Sequence, residues 1–222
     1  MAEIEDGRKF EKIALDFLKQ NNLPEAESNF IQALTHMKQS GDEEGQAYVL
    51  GNLGNLCFQS RRLDKAEEYY GTALTYMEKV NDIRGIESSL GNLGSVLFYK
   101  GNLNEAEKTY KKALKFLEDA NDTEGQSIYN ENLGNVYLKK EELAKAEDYF
   151  NRAKTLLDSE KNKDRIKAVE DKLDALQKHP KYVEGKEGNL LNEIESLKKG
   201  GKKREALAKY QELEELYYQG GS

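Results

Sequence analysis

LGNLGSVLFYKGNLNEAEKTYKKALKFLEDAND, residues 90–122, is the greater part of one period of an internal repeat. Stepping outward by forty residues, Gly94 meets Gly54 and Gly134, with Ala14 in the same phase one step earlier. Leu23, Leu63, Leu103 and Leu143 keep that step. So do the Ala-Glu pairs at Ala26, Ala66, Ala106 and Ala146, the aromatic column Phe30, Tyr70, Tyr110 and Phe150, and the small column Ala33, Ala73, Ala113 and Ala153. A fixed period without gaps is the signature of a repeat architecture, in which each unit buries its apolar face on its neighbours.

Each period reads as two helices. In residues 86–100, Leu90, Leu93, Val96 and Leu97 fall at helical spacing. Gly101-Asn102 ends that helix, glycine supplying a left-handed C-cap at little steric cost. The second helix is expected to start near Asn104 as N-cap, with Glu107 three residues on. Ala106, Tyr110, Ala113, Leu114 and Leu117 give it one buried stripe. Gly41-Asp42, Asn81-Asp82 and Asn121-Asp122 separate successive units, and Pro24 sits at a helix start, where its missing donor costs nothing. Short side chains in the Gly94 and Ala106 columns let the paired helices approach, and the Tyr110 column is expected to fill space between units.

These columns resemble the tetratricopeptide repeat family. The family's pattern reads Leu53-Gly54, Cys57, Ala66, Tyr70, Ala73, and recurs as Leu93-Gly94, Leu97, Ala106, Tyr110, Ala113 and as Leu133-Gly134, Tyr137, Ala146, Phe150, Ala153. A weaker copy is Ile13-Ala14, Phe17, Ala26, Phe30, Ala33. The resemblance implies an all-α, right-handed superhelical solenoid of antiparallel helix pairs. The forty-residue period exceeds the usual 34. It is similar to the extended repeats of kinesin light chains and Pins-type polarity adaptors, and to those of bacterial peptide-sensing regulators. The family's first-helix tryptophan is replaced by Leu50 and Leu90.

Four repeats are therefore expected in residues 1–160, at about 7–40, 41–80, 81–120 and 121–160. The register fails after Asp158. Residues 161–180 read as a capping helix, with Ile166, Val169, Leu173 and Leu176 apolar, stopped by His179-Pro180. Residues 181–222 read as the loop KYVEGKEG, a degenerate helical pair at 190–199 and 204–218, and a tail. Ala206 and Tyr210 match the second-helix columns, sixty residues after Ala146 and Phe150. This segment either ends the solenoid as an atypical repeat or folds back into its groove. Gly220, Gly221 and Ser222 read as a linker or an appended tail.

Composition narrows the function classes. Charged residues make up 34% and the formal net charge is −7, so the chain as a whole does not attract nucleic acid. The cluster Lys198, Lys199, Lys202, Lys203 and Arg204 reads as a solvated helix junction. The start of the chain is acidic and amphipathic, unlike a signal peptide, and no run is apolar enough for membrane insertion, so a cytoplasmic location is expected. One cysteine, Cys57, and two distant histidines, His36 and His179, offer no metal-ligand spacing. There is no phosphate-binding loop, nucleotide fingerprint or nucleophile elbow. No enzyme activity and no cofactor are expected. Cys57 falls in a core column and reads as a packing residue.

The resemblance places a protein- or peptide-binding groove on the first helices. Beside the Leu-Gly pairs it puts Asn52 and Asn55, Asn92 and Ser95, Asn132 and Asn135. Phe58, Phe98 and Leu138 follow along the same face, and Tyr48, Ser88 and Ile128 precede it. Asparagine is a mediocre helix former, yet it recurs in the middle of three helices. Its amide both donates and accepts, which suits the backbone of an extended peptide. The carboxylate clamp of the family's chaperone-binding members is not expected, because Gly51, Asn52, Ser88, Gly91 and Asn92 carry no cation. The alternative is a self-associating assembly module, suggested by the apolar end Leu216-Tyr217-Tyr218.

Overall fold

The computed structural model describes residues 2–157 and 160–220. Every regular element among them is an α-helix: α1 (Ala2–Lys19), α2 (Leu23–Ser40), α3 (Glu43–Gln59), α4 (Leu63–Lys79), α5 (Ile83–Lys100), α6 (Leu103–Asp119), α7 (Thr123–Lys139), α8 (Leu143–Thr155), α9 (Lys163–Gln177), α10 (Pro180–Lys199) and α11 (Lys203–Gly220). They form two compact units, Met1–Tyr129 and Asn130–Ser222. Gly221 and Ser222 of the expected tail lie outside the described residues, as does Asp158, where the sequence register ends.

In the first unit α1 packs on α2, α3 on α4 and α5 on α6, while α2 meets α3 and α4 meets α5. The columns explain why. Tyr70 lies against Gly54 and Tyr110 against Gly94, so close that an added Cβ would come within 2.6 and 2.7 Å of the rings. Only glycine admits the aromatic ring at that distance. The aromatic column thus packs on the glycines within each hairpin and also fills space between units, where Tyr70 joins Val96 and Tyr110 meets Tyr129. Ala26, Ala66 and Ala106 are fully buried, as are Ala33, Ala73 and Ala113.

The corners repeat as faithfully as the core. One residue at each corner is left-handed: Asn21, Gly41, Arg61, Asn81, Gly101 and Asn121. The amide that follows it bonds a carbonyl five residues back, as in Asp42 N–H to Met37 O at 2.9 Å and Asn102 N–H to Leu97 O at 2.9 Å. This satisfies the last carbonyls of each helix. Asp42, Asp82 and Asp122 then cap the next helix by accepting from the amides of Gly45, Gly85 and Gly125 at 2.9, 3.1 and 2.9 Å. Asn104 is not a cap: α6 starts one residue earlier, behind Asn102, whose side chain makes no capping bond. Arg62 holds the Glu27 carboxylate through two bonds of 2.7 and 2.9 Å, joining second helices of adjacent repeats and keeping that carboxyl below its usual range.

In the second unit Tyr137, Leu143, Ala146, Phe150, Val169, Leu173, Leu176 and Tyr182 share one core, contributed by α7, α8, α9 and α10. Gly134 faces the Phe150 ring as its counterparts face theirs. Residues 181–188 are helical and open α10, contrary to the loop expected from their glycines. Pro180 stands in the first turn of that helix, and Tyr182 and Ile194 bury its apolar stripe. Gly185 and Gly188 have open space around them, so they weaken the helix without opposing it. Ile194 packs with Leu213 and Leu216 of α11. Tyr210, although it follows Ala206 at the spacing of the aromatic column, is 44% exposed.

Candidate peptide-binding groove

First helices α3 and α5 border a cleft of about 310 Å³. Five of the expected groove residues line it together: Tyr48, Asn52, Asn55, Ser88 and Asn92. Sequence reading missed the rest of its lining, chiefly Glu11, Gly51, Tyr70, Met77, Arg84 and Ser89. At the rim, the Tyr48 hydroxyl donates to Asp82 Oδ2 at 2.9 Å, and this carboxylate followed by burial raises the tyrosine pKa. Burial, partly offset by Arg8, raises the pKa of Glu11, whereas Asp42 adds to the rise.

The asparagine column divides into two roles. Asn55 Oδ1 accepts from the Tyr70 hydroxyl at 2.6 Å. One repeat on, Ser95 Oγ accepts from the Tyr110 hydroxyl at 3.0 Å and donates to Gly91 O at 3.0 Å. A phenol emerging over the glycine column needs an acceptor, and this position supplies it. Asn55 Oδ1 and the Ser95 hydroxyl are therefore engaged inside their own hairpins, while Asn55 stays exposed at the cleft with its amide N–H groups. The Asn92 amide stands 3.5 Å from Asn55 Oδ1, the long limit of a hydrogen bond. Asn52 and Asn92 remain half-buried in the cleft wall.

The other expected residues do not join this cleft. Phe58 packs against the core group of Cys57, Ala66, Tyr70 and Val96 and meets Tyr99 edge-on at 5.4 Å. Phe98 meets Tyr99 at 5.6 Å. Ile128 is exposed beside a separate hollow lined by Glu87, Leu117 and Tyr129. Asn132, Asn135 and Leu138 belong to the second unit, all half-buried, and Leu138 packs against its core.

A wider, shallower hollow of about 700 Å³ is lined mostly by α4 residues, among them Asp64, Glu67, Glu68, Thr72, Thr75 and Tyr76. It is a solvated face of a second helix and gathers no expected groove residue. His36 stacks on Phe10 at 5.4 Å, and His179 precedes α10. Cys57 is fully buried and burial pushes its thiol pKa up, which disfavours the reactive thiolate. In the basic cluster, Lys199 pairs with Glu195 and Lys202 with Glu205. Among the described residues no group of three or more His, Cys, Asp or Glu could hold a metal ion, and no helix is long and apolar enough to cross a membrane.

The geometry can be set beside known proteins. The crystal structure of BtubC (BKLC) from P. vanneervenii is similar at a TM-score of 0.68 and 16% identity, covering 100% of this chain and 89% of that one. The apo form of RapI is similar at 0.68 and 14%, with 97% and 84% covered. Kinesin-light-chain TPR-like repeats from Podosopora anserina are similar at 0.62 and 12%, with 97% and 96% covered. At these identities the likeness shows the fold. No curated protein matches the sequence. The tetratricopeptide repeat profile matches residues 7–79 and 85–159, most of the chain. With its helix pairs and glycine-aromatic columns in place, the chain belongs to the tetratricopeptide repeat family, whose fold generally serves protein–protein recognition.

Proposed function

We propose that the chain is a non-catalytic protein-binding scaffold that holds a peptide segment of a partner protein against its first helices. The supporting observation is the cleft between α3 and α5, where Asn52 and Asn92 stand beside Tyr48, Ser88 and the open floor at Gly51. Each amide can donate to a peptide carbonyl and accept from a peptide N–H. The cleft's volume is at the bottom of the ~300–1,000 Å³ range of small-molecule pockets, which suits one or two side chains of a peptide.

The test is affinity capture followed by a binding isotherm on the captured partner. Asn52→Ala with Asn92→Ala should weaken binding at least ~10-fold, the loss of about 1.4 kcal/mol, with the helical circular dichroism unchanged. Unchanged affinity rejects this groove.

Self-association is a second reading, supported by one stripe of α11 on which Leu207 is 62% exposed, Tyr218 77% exposed, and Tyr210 and Tyr217 are exposed between them. Sedimentation showing a monomer across the accessible concentration range rejects it.

A further inference from the structure

The repeat provides an internal standard for the cleft. Moving the α5–α7 contact back by forty residues places Tyr129 on Ser89, Gly91 on Gly51, Tyr110 on Tyr70, Glu87 on Ala47 and Leu117 on Met77. Where α5 meets α7, Tyr129 is buried, its ring 6.0 Å from that of Tyr110 and its hydroxyl bonded to the Glu87 carboxylate. The ring lies over Gly91 so closely that an added Cβ would come within 2.0 Å of the hydroxyl oxygen.

Where α3 meets α5 there is no such ring. Ser89 takes the tyrosine's place, and an added Cβ at Gly51 would meet nothing within 4 Å. The space that Tyr129 closes in one interface stays open above Gly51 in the other, between Tyr48, Asn52, Ser88 and Asn92, over a floor of Ala47, Tyr70, Met77 and Ser89 that is itself buried. Glycine is a poor residue for a helix interior. At Gly91 packing explains it. At Gly51 packing within the chain does not.

We propose that this cleft is the seat of one aromatic side chain of the bound peptide, which takes the place that Tyr129 fills one repeat later. The proposal rests on the peptide-groove reading and adds its side-chain specificity. The incoming ring would lie over Gly51, above the buried floor to which Tyr70 and the Met77 thioether contribute. Ala47 stands where Glu87 meets the Tyr129 hydroxyl, so the seat calls for a ring rather than a phenol. Asn52 and Asn92 flank the seat and can take up the backbone amide of the same residue.

The test is a titration of the isotopically labelled full chain by NMR, with N-acetyl-phenylalaninamide as the probe and N-acetyl-alaninamide as the control. The phenylalanine probe should shift the Gly51 and Ser89 amides saturably, at least tenfold more tightly than the alanine probe. Ser89→Tyr should abolish those shifts by supplying the ring from within. Should Ser89→Tyr fail to fold, Gly51→Leu serves instead, because its side chain enters open space from the helix. No shift at Gly51 and Ser89 up to the probe's solubility overturns the seat, as does equal binding of the alanine probe or unaltered shifts in Gly51→Leu. Such a result, with partner affinity still dependent on Asn52 and Asn92, overturns the aromatic seat alone. Loss of that dependence rejects the groove itself.

Discussion

The contact of α5 with α7 closes over a tyrosine, and the contact of α3 with α5, one period earlier, does not. The frame is the same in both. Tyr70 and Tyr110 sit on Gly54 and Gly94, and Asp82 and Asp122 cap the following first helices. Only the residues facing across the interface change. In the contact before these two, Val49 is buried at the tyrosine register and Glu11 stands at the glycine register. Three interfaces thus carry three fillings on one frame. A repeat protein can keep its fold by conserving packing within each hairpin while it varies the contact between them, and recognition is free to develop there.

Removing the filled ring should have the greatest effect. Tyr129→Ala leaves a cavity against Gly91 and strips Glu87 of its donor, so it should cost about 3 kcal/mol or more in urea unfolding. Ser89→Ala, in the open counterpart, should change stability by less than about 1 kcal/mol, since it removes no ring. Equal losses would mean that the two interfaces do not differ as described.

The asparagines should separate next. Asn55→Ala leaves the Tyr70 hydroxyl without its acceptor and should cost about 1–2 kcal/mol, whereas Asn52→Ala should stay within ~0.5 kcal/mol. Thermal unfolding of the two variants checks the division of the column into structural and groove positions.

Glu11 gives the smallest expected effect and a pH signature. Its folded pKa lies above the ordinary 4.5, so the fold holds that proton more tightly than the unfolded chain does. Ionisation therefore costs stability as the pH rises through 4.5 and past the raised value. Glu11→Gln should stabilise slightly at pH 7, by no more than a few tenths of a kcal/mol once solvent screening at this half-buried site is allowed for, and the gain should vanish as the pH falls below 4.5. A gain that grows on acidification contradicts burial as the cause.

The fold was legible because its columns use residues with a single mechanical meaning. Glycine beneath an aromatic ring and buried alanine recur at forty residues, and close packing of paired helices accounts for Gly94, Tyr110 and Ala106 together. Legibility failed where one residue type serves two ends. Asn52 and Asn55 look alike in the sequence, and only the position of the Tyr70 hydroxyl three-dimensionally distinguishes them. Asn104 resembles a cap, but the left-handed corner at Gly101 had already started the helix behind Asn102. Gly185 and Gly188 resemble breakers, but Tyr182 and Ile194 hold α10 through them. Gly51 was hidden among glycines of both kinds, packed under a ring as at Gly54 and Gly94 or in open space as at Gly71, Gly185 and Gly188. Its signal is the comparison with Gly91, available once Tyr129 is seen over one and Ser89 beside the other.

Equilibrium unfolding of Gly51→Ala and Gly91→Ala tests the central contrast most directly, because the two glycines are equivalent by register and differ in what faces them. Gly51→Ala should stabilise by about 0.5–1 kcal/mol through helix propensity. Gly91→Ala should destabilise by about 1–3 kcal/mol by driving a methyl into Tyr129. Opposite signs are the predicted result, and shifts of the same sign and size would contradict it.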